Sequence, residues 1–288
     1  MKAADSNQAL MAMQALVISA DDYAQNAAID AGILRLIALG KLSATSCLTL
    51  SPRWPQAAQQ LAQYRSRADV GLHLDFTQYV QPLHMPLAQL IRSSLLRRLP
   101  ASAVRNSILQ QLQRFEDATG HAPDYIDGHQ HVHQLPQIRT ELVAILQQRY
   151  AKEHRPWLRL ARPDWKDGVK AGVIRLLGAA ALEQAAQQAG IACSQRLLGV
   201  YGFGQASSYL PRLQRALDQA SDQKGTRGLT NGLVVLMCHP ATSEQDDRND
   251  SIQADRRQEY NDLLHYDLEA ALASRQLRLL RGTDYFRV

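Results

Sequence analysis

The chain has 288 residues, 45% of them hydrophobic and 20% charged. That balance excludes a wholly disordered, collagen-like or coiled-coil chain, and the length suffices to bury a core without disulfides or a structural metal. Lysines and arginines number 32 against 27 aspartates and glutamates, a net charge of +5. The basic residues are scattered over helix faces, as at Arg92, Arg97, Arg98, Arg105 and Arg114, and aromatics are only 6%, so nucleic acid is not an expected partner.

Residues 1–14 read as a tail ahead of the first strand, without the apolar stretch of a signal peptide. Residues 15–19 (ALVIS) are short and apolar, as a strand buried on both faces should be. Asn26 then caps a helix with apolar positions Ile29, Ile33, Leu36 and Ile37, and Gly40 fits its C′ position. A second strand is predicted over 43–50, a helix over 55–65 and a third strand over 70–74. Pro82, Pro86 and Pro100 punctuate 78–100, which reads as a long loop over one face. A helix over 101–119 ends at Gly120, a fourth strand covers 124–128, and a helix follows Pro136 to 150. Further strands are predicted at 157–160, 195–200, 233–238 and 277–280, separated by helices at about 168–189, 207–220 and 251–273.

Strand–helix alternation predicts a parallel sheet with helices outside it. Seven or eight such units, with no Gly/Pro/Ser-rich linker, give a single TIM-barrel-like (β/α) domain over 15–288; a doubly wound open sheet is the alternative. Cys47, Cys193 and Cys238 are far apart and odd in number, which fits a reducing cytoplasm. No run approaches the roughly 18 apolar residues of a membrane span.

The chemistry-bearing residues fall at the C-terminal ends of predicted strands, where a barrel carries its active site. Asp21 and Asp22 follow the first strand; one can bind a metal while the other stays free as a base. His73 ends the third, with Asp75 placed to orient its imidazole. Asp127-Gly128-His129-Gln130-His131-Val132-His133 ends the fourth, and in an extended segment its alternate histidines share one face. His239, in Met237-Cys238-His239-Pro240, offers a further imidazole suited to general acid work. One carboxylate and two imidazoles leave room for water, the open arrangement of a hydrolytic metal centre. Arg159 and Arg162 are candidates to touch substrate hydroxyls, against a surface salt bridge as the plainer account. Trp54, Trp157 and Trp165 are weighed as sugar platforms against core packing, Tyr201-Gly202-Phe203-Gly204 as pocket lining, and 244–250 as a solvated acidic loop.

Together, ADDY after the first strand, GLHL at the third, DGHQHVH before a Pro-started helix and a late MCHPA resemble the YdjC-like carbohydrate deacetylases, which include the chitooligosaccharide and hopanoid-biosynthesis deacetylases. The resemblance covers roughly residues 15–245. It implies a TIM-barrel-like hydrolase that uses one divalent ion, zinc or magnesium, to remove acetyl groups from N-acetylated amino sugars. Carried over position by position, Asp22, His73 and His129 match the metal ligands, with His131 the rival of His129. Asp21 matches the base, and His239 the proton donor to the leaving amine. His131 and His133 match the rest of the cluster, orienting a ligand or touching substrate. Tyr23-Ala24 departs from the more frequent Phe-Gly, a change expected to spare the metal and alter the sugar pocket. The competing readings are another metal hydrolase on the same barrel (a phosphoesterase or amidohydrolase) and a non-catalytic sugar- or metal-binding protein. The expected partner is a small-molecule or oligosaccharide substrate, and a homodimer is the base-rate assembly.

Overall fold

The fold is that of a computed structural model, described for residues 13–163, 169–204, 208–222, 232–243 and 250–287. The predicted tail lies almost wholly outside the described residues, as do Trp165 and the loop 244–249.

Strand β1 (Gln14–Tyr23) is buried along its whole length, as its apolar run requires. It stands at the centre of a parallel sheet. β2 (Ala44–Cys47), β3 (Asp69–Leu74), β4 (Tyr125–Gly128) and β5 (Trp157–Leu158) follow on one side, and β7 (Val234–Cys238) and β6 (Arg196–Leu198) on the other. All the pairings are parallel. β5 makes a further parallel bridge from Leu158 to Cys193, just ahead of β6, so the seven strands curl toward a barrel. β8 (Leu277–Leu279) pairs off this path with Gln14–Leu16.

The helices cover the outside. α1 (Ala27–Ala38) starts where the Asn26 side chain accepts from Ile29 N, and Gly40 follows it at φ 68°, as its residues foretold. α2 (Trp54–Leu61) precedes β3. The predicted loop over 78–100 is in part a helix, α3 (Leu87–Leu95). Pro86 occupies its N-cap with ψ 145°, a position where a missing N–H costs nothing, so the proline begins the helix instead of forbidding it. α4 (Ala101–Thr119) ends at Gly120 in the left-handed region, and α5 (Pro136–Arg149) starts on its proline. The single helix predicted near 168–189 is two, α6 (Val169–Leu176) and α7 (Ala179–Gln188), divided at Gly178 with φ 133°. α8 (Leu210–Ser221) precedes β7. The predicted 251–273 helix divides into α9 (Gln253–His265) and α10 (Leu268–Ala273), the second capped by the Asp267 side chain. α11 (Gly282–Phe286) ends the described chain.

Candidate metal centre

The register between β1 and β2 slips after Ala20: Ala20 faces Thr45, but Tyr23 faces Cys47. This bulge carries Asp22 at φ 68° and is followed by Ala24 at φ 74°. The irregularity lets two adjacent aspartates, both 2% exposed, serve different partners at the mouth of the barrel. Asp21 accepts two hydrogen bonds from the Arg159 guanidinium, at 2.6 and 2.7 Å. Asp22 turns instead to His73, His129 and Arg256.

Asp22 Oδ1 lies 3.3 Å from His73 Nε2 and 2.9 Å from His129 Nδ1. The three donor atoms lie within 4.8 Å of one another, a spacing on which one divalent ion can close. Behind them, His73 Nδ1 is 2.6 Å from Asp127 Oδ1, which fixes the ring with Nε2 facing the other two donors. Asp127 Oδ2 is in ion-pair contact with Arg159 at 2.8 Å. Burial opposes charge on His73, but the carboxylates of Asp127, Asp21 and Asp22 outweigh it and push the imidazole up to about 10. Burial likewise works against the Asp127 and Asp22 carboxylates. Arg159 and His73 bring Asp127 down to about 2, and Arg256 and His129 hold Asp22 well below the usual range. The donor set, its second layer and its charge balance all fit a divalent cation.

The histidine segment is not extended, so its three rings do not share a face. Residues 129–134 coil into a short 3-10 turn, with Gln130 at φ 53° and His131 at φ 62°. His129 turns to Asp22. His131 lines the cleft, and burial together with the Arg159 charge holds its ring well below the ordinary value. His133 is wholly buried and donates from Nε2 to Arg159 O at 2.9 Å; burial lowers it to about 4. His131, the rival ligand, is outside the close donor group.

Two expected roles are corrected. Asp75 does not orient His73; its carboxylate accepts from the amides of Thr77, Gln78, Tyr79 and Val80 and shapes that loop. Being two residues along the strand, it follows the chain out of the site, while Asp127 on the neighbouring strand stands opposite His73 in register. Arg159 is neither a substrate contact nor a surface salt bridge. It is 1% exposed and joins Asp21 to Asp127 beneath the centre. Arg162 pairs with Glu183 away from it. Tyr23 is buried, with its hydroxyl donating to Ala57 O, so the departure from Phe falls in the core and not in the pocket. Trp54 stacks on Phe115 and Trp157 on Tyr125, both inside the protein.

His239 faces the centre, its Nε2 4.0 Å from Asp21 Oδ2. Burial brings the ring down to about 4, against the pull of Asp21 and Asp22. Its edge meets the Phe203 ring, and its backbone amide donates to Glu259. Glu259 also accepts from the Tyr201 hydroxyl, and burial raises its carboxyl to about 7. Arg256 donates to Asp22 Oδ2 at 2.6 Å and to Asp250 at 2.7 Å. Arg256 and Glu259, both on α9, were missed in the sequence. A helix that offers Asp255, Arg256 and Glu259 where an apolar stripe belongs was the available signal, since its charged face is the buried one. Above these groups opens a cavity of about 710 Å³, with Leu87, Ile91, Ile174, Leu177, Val200 and Phe203 along its walls.

The YdjC-like protein family model matches residues 15–274. The chain belongs to the YdjC-like family. Its relatives include a chitooligosaccharide deacetylase of Klebsiella pneumoniae (strain 342), 28% identical over 92% of this chain and 96% of that protein. One of Citrobacter koseri is also 28% identical, with the same coverage. Among solved structures, a candidate cellobiose-phosphate cleavage protein of Enterococcus faecalis V583 superposes with a TM-score of 0.71 at 19% identity, over 96% of this chain and 99% of that one. This last likeness establishes that the family member shares its α/β fold.

Proposed function

We propose that this protein is a divalent-metal hydrolase that removes acetyl groups from N-acetylated amino sugars. The observation that carries the reading is the donor set of Asp22, His73 and His129 beside a second carboxylate, Asp21, on the same bulge. A zinc or magnesium ion would be held by those three residues and would supply Lewis acidity to the acetyl carbonyl and to the attacking water. Asp21 takes the proton from that water. Arg159 grips both Asp21 oxygens, which fixes the base in place. His239 delivers a proton to the departing nitrogen. Its ring is neutral at pH 7, so it must first gain the proton it gives, and Asp21, whose Oδ2 faces its Nε2 at 4.0 Å, is placed to pass on the proton it has taken. Cleavage yields acetate and a free amine. The sugar comes from the relatives, which are named chitooligosaccharide deacetylases. The free cysteines suit a reducing compartment, and we place the enzyme in the cytoplasm.

The test is acetate release from N-acetylglucosamine oligomers by metal-stripped, zinc-loaded and magnesium-loaded protein. Metal-dependent acetate is expected. Protein that binds the ion yet releases no acetate from any N-acetylated amino sugar would overturn the proposal.

A further inference from the structure

Large hydrophobic side chains are seldom exposed in this protein. Among the described residues four stand out: Leu39 at 43%, Leu95 at 57%, Leu96 at 50% and Leu176 at 73%. Three of the four lie at the ends of the two helices that wall the cleft: Leu95 and Leu176 are the last residues of α3 and α6, and Leu96 is the C-cap of α3. On α3, Leu87 and Ile91 line the cavity, and Leu95 is the next residue in the same i, i+4 row, so that row runs from the cavity wall out to its rim. On α6, Ile174 lines the cavity, as does Leu177 just beyond the helix, and Leu176 stands between them, turned to solvent.

The same rim is basic. Arg92, Arg97 and Arg98 are exposed, and none of them makes an ion pair among the described residues. Arg97 holds φ 54° at the end of α3, a position that ordinarily favours glycine. Arg139 of α5 joins the two halves of the patch. It adjoins Gly178, just past Leu176 and Leu177, and the charge of Arg97 acts on it. Two cations that act on each other, neither of them in an ion pair among the described residues, match an anionic partner. Exposed leucines interleaved with arginines match one whose charge overlies an apolar layer.

We propose that the rim formed by Leu95, Leu96 and Leu176 with Arg92, Arg97 and Arg98 docks the protein on an anionic lipid bilayer, with the mouth of the cleft held against the membrane surface. The leucines enter the acyl boundary while the arginines meet lipid phosphates. Docking of this kind needs no spanning segment, and no described helix is long and apolar enough to be one. It stands apart from the reaction proposed above, because attachment is measured without turnover.

The experiment is co-sedimentation of the full chain with vesicles of phosphatidylcholine alone and of phosphatidylcholine mixed with phosphatidylglycerol. Retention is expected on the mixed vesicles only, and it should weaken as salt is raised. The double variant Arg97→Gln/Arg98→Gln should lose about 25-fold in partitioning, at roughly fivefold per arginine. The triple variant Leu95→Ser/Leu96→Ser/Leu176→Ser should not sediment. Both should bind zinc as the parent does, since none of these residues touches the centre. Equal retention on both vesicles, no retention on either, or a triple variant that still sediments would overturn the proposal. A dimer in gel filtration that the triple variant abolishes, with no vesicle binding by the parent, would give the patch to a second copy of the chain instead.

Discussion

Replacing Asp127 with asparagine tests how the centre is held. Asp127 is fully buried and holds two partners in different ways: Oδ1 is hydrogen-bonded with His73 Nδ1 at 2.6 Å, and Oδ2 lies in ion-pair contact with Arg159 at 2.8 Å without accepting a hydrogen bond. Asparagine has nearly the same shape but only one acceptor. Whichever way its amide turns, an NH₂ group faces either the imidazole N–H or the guanidinium. One buried donor is left unmatched, at a cost of about 1–3 kcal/mol, and the loss of a buried charge partner adds to this. Arg159 keeps Asp21, so the total should stay near 2–4 kcal/mol and the protein should fold. The effect on the centre is sharper. A misdirected His73 should cost about 10–100-fold in metal affinity, or about 1.4–2.8 kcal/mol. Calorimetric titration of the metal-stripped protein with zinc measures it. Asp75→Asn is the control: it disturbs only the amides of Thr77 to Val80 and should leave zinc affinity alone. If folded Asp127→Asn bound zinc within about twofold of the parent, Asp127 would not position His73 as argued.

Further outcomes are expected elsewhere. Asp21→Asn should retain the metal and lose about 10²–10⁴-fold in turnover, read by comparing zinc content with acetate release. His73→Ala should lose both, and a variant that still bound zinc tightly would remove His73 from the ligand set. Gly71→Ala should lower stability by about 1–3 kcal/mol in chemical denaturation, because its Cβ would fall 2.5 Å from the Tyr125 ring, itself stacked on Trp157. Asp69 gives a pH signature. Burial, aided by Asp124, raises its carboxyl to about 6 against the donors of Thr283 and Trp157. The folded state therefore holds that proton more tightly than the unfolded chain. The stability it confers is full below the unfolded value near 4 and is lost as pH rises through 6, about 3 kcal/mol in all. Relative to Asp69→Asn, the parent should melt higher at pH 5 than the same comparison gives at pH 7; a gap that moved the other way would refute the assignment.

The strand ends were legible because each chemical motif terminates an apolar run, and a parallel barrel gathers such ends at one mouth. Asn26, Gly40 and Gly120 marked helix limits for local reasons that tertiary structure did not override. What escaped depended on neighbours distant in sequence. Pro86 read as punctuation until the helix it begins was seen. His73 takes its partner from β4, 54 residues away, and not from Asp75 two residues on. Arg159 looked like a surface cation because nothing nearby in the chain announces the two carboxylates it joins. The histidine cluster was recognisable by composition, but alternation assumed an extended backbone that the left-handed pair at Gln130 and His131 does not have.

That pair has a consequence for how such a protein can change over time. Six non-glycine residues among those described take positive φ, and four of them, Asp22, Ala24, Gln130 and His131, lie in the two turns that aim the donor atoms. Each costs about 1–3 kcal/mol that the rest of the barrel must absorb. Selection for robustness alone would favour glycine at Gln130, where the side chain supplies no donor. Glycine there would relax the backbone but let the turn explore other shapes, and the His129 donor beside it would no longer be preassembled. Improvements in heat tolerance are therefore cheapest in the outer helices, and the turn at Gln130 and His131 should be among the last parts of the molecule to drift.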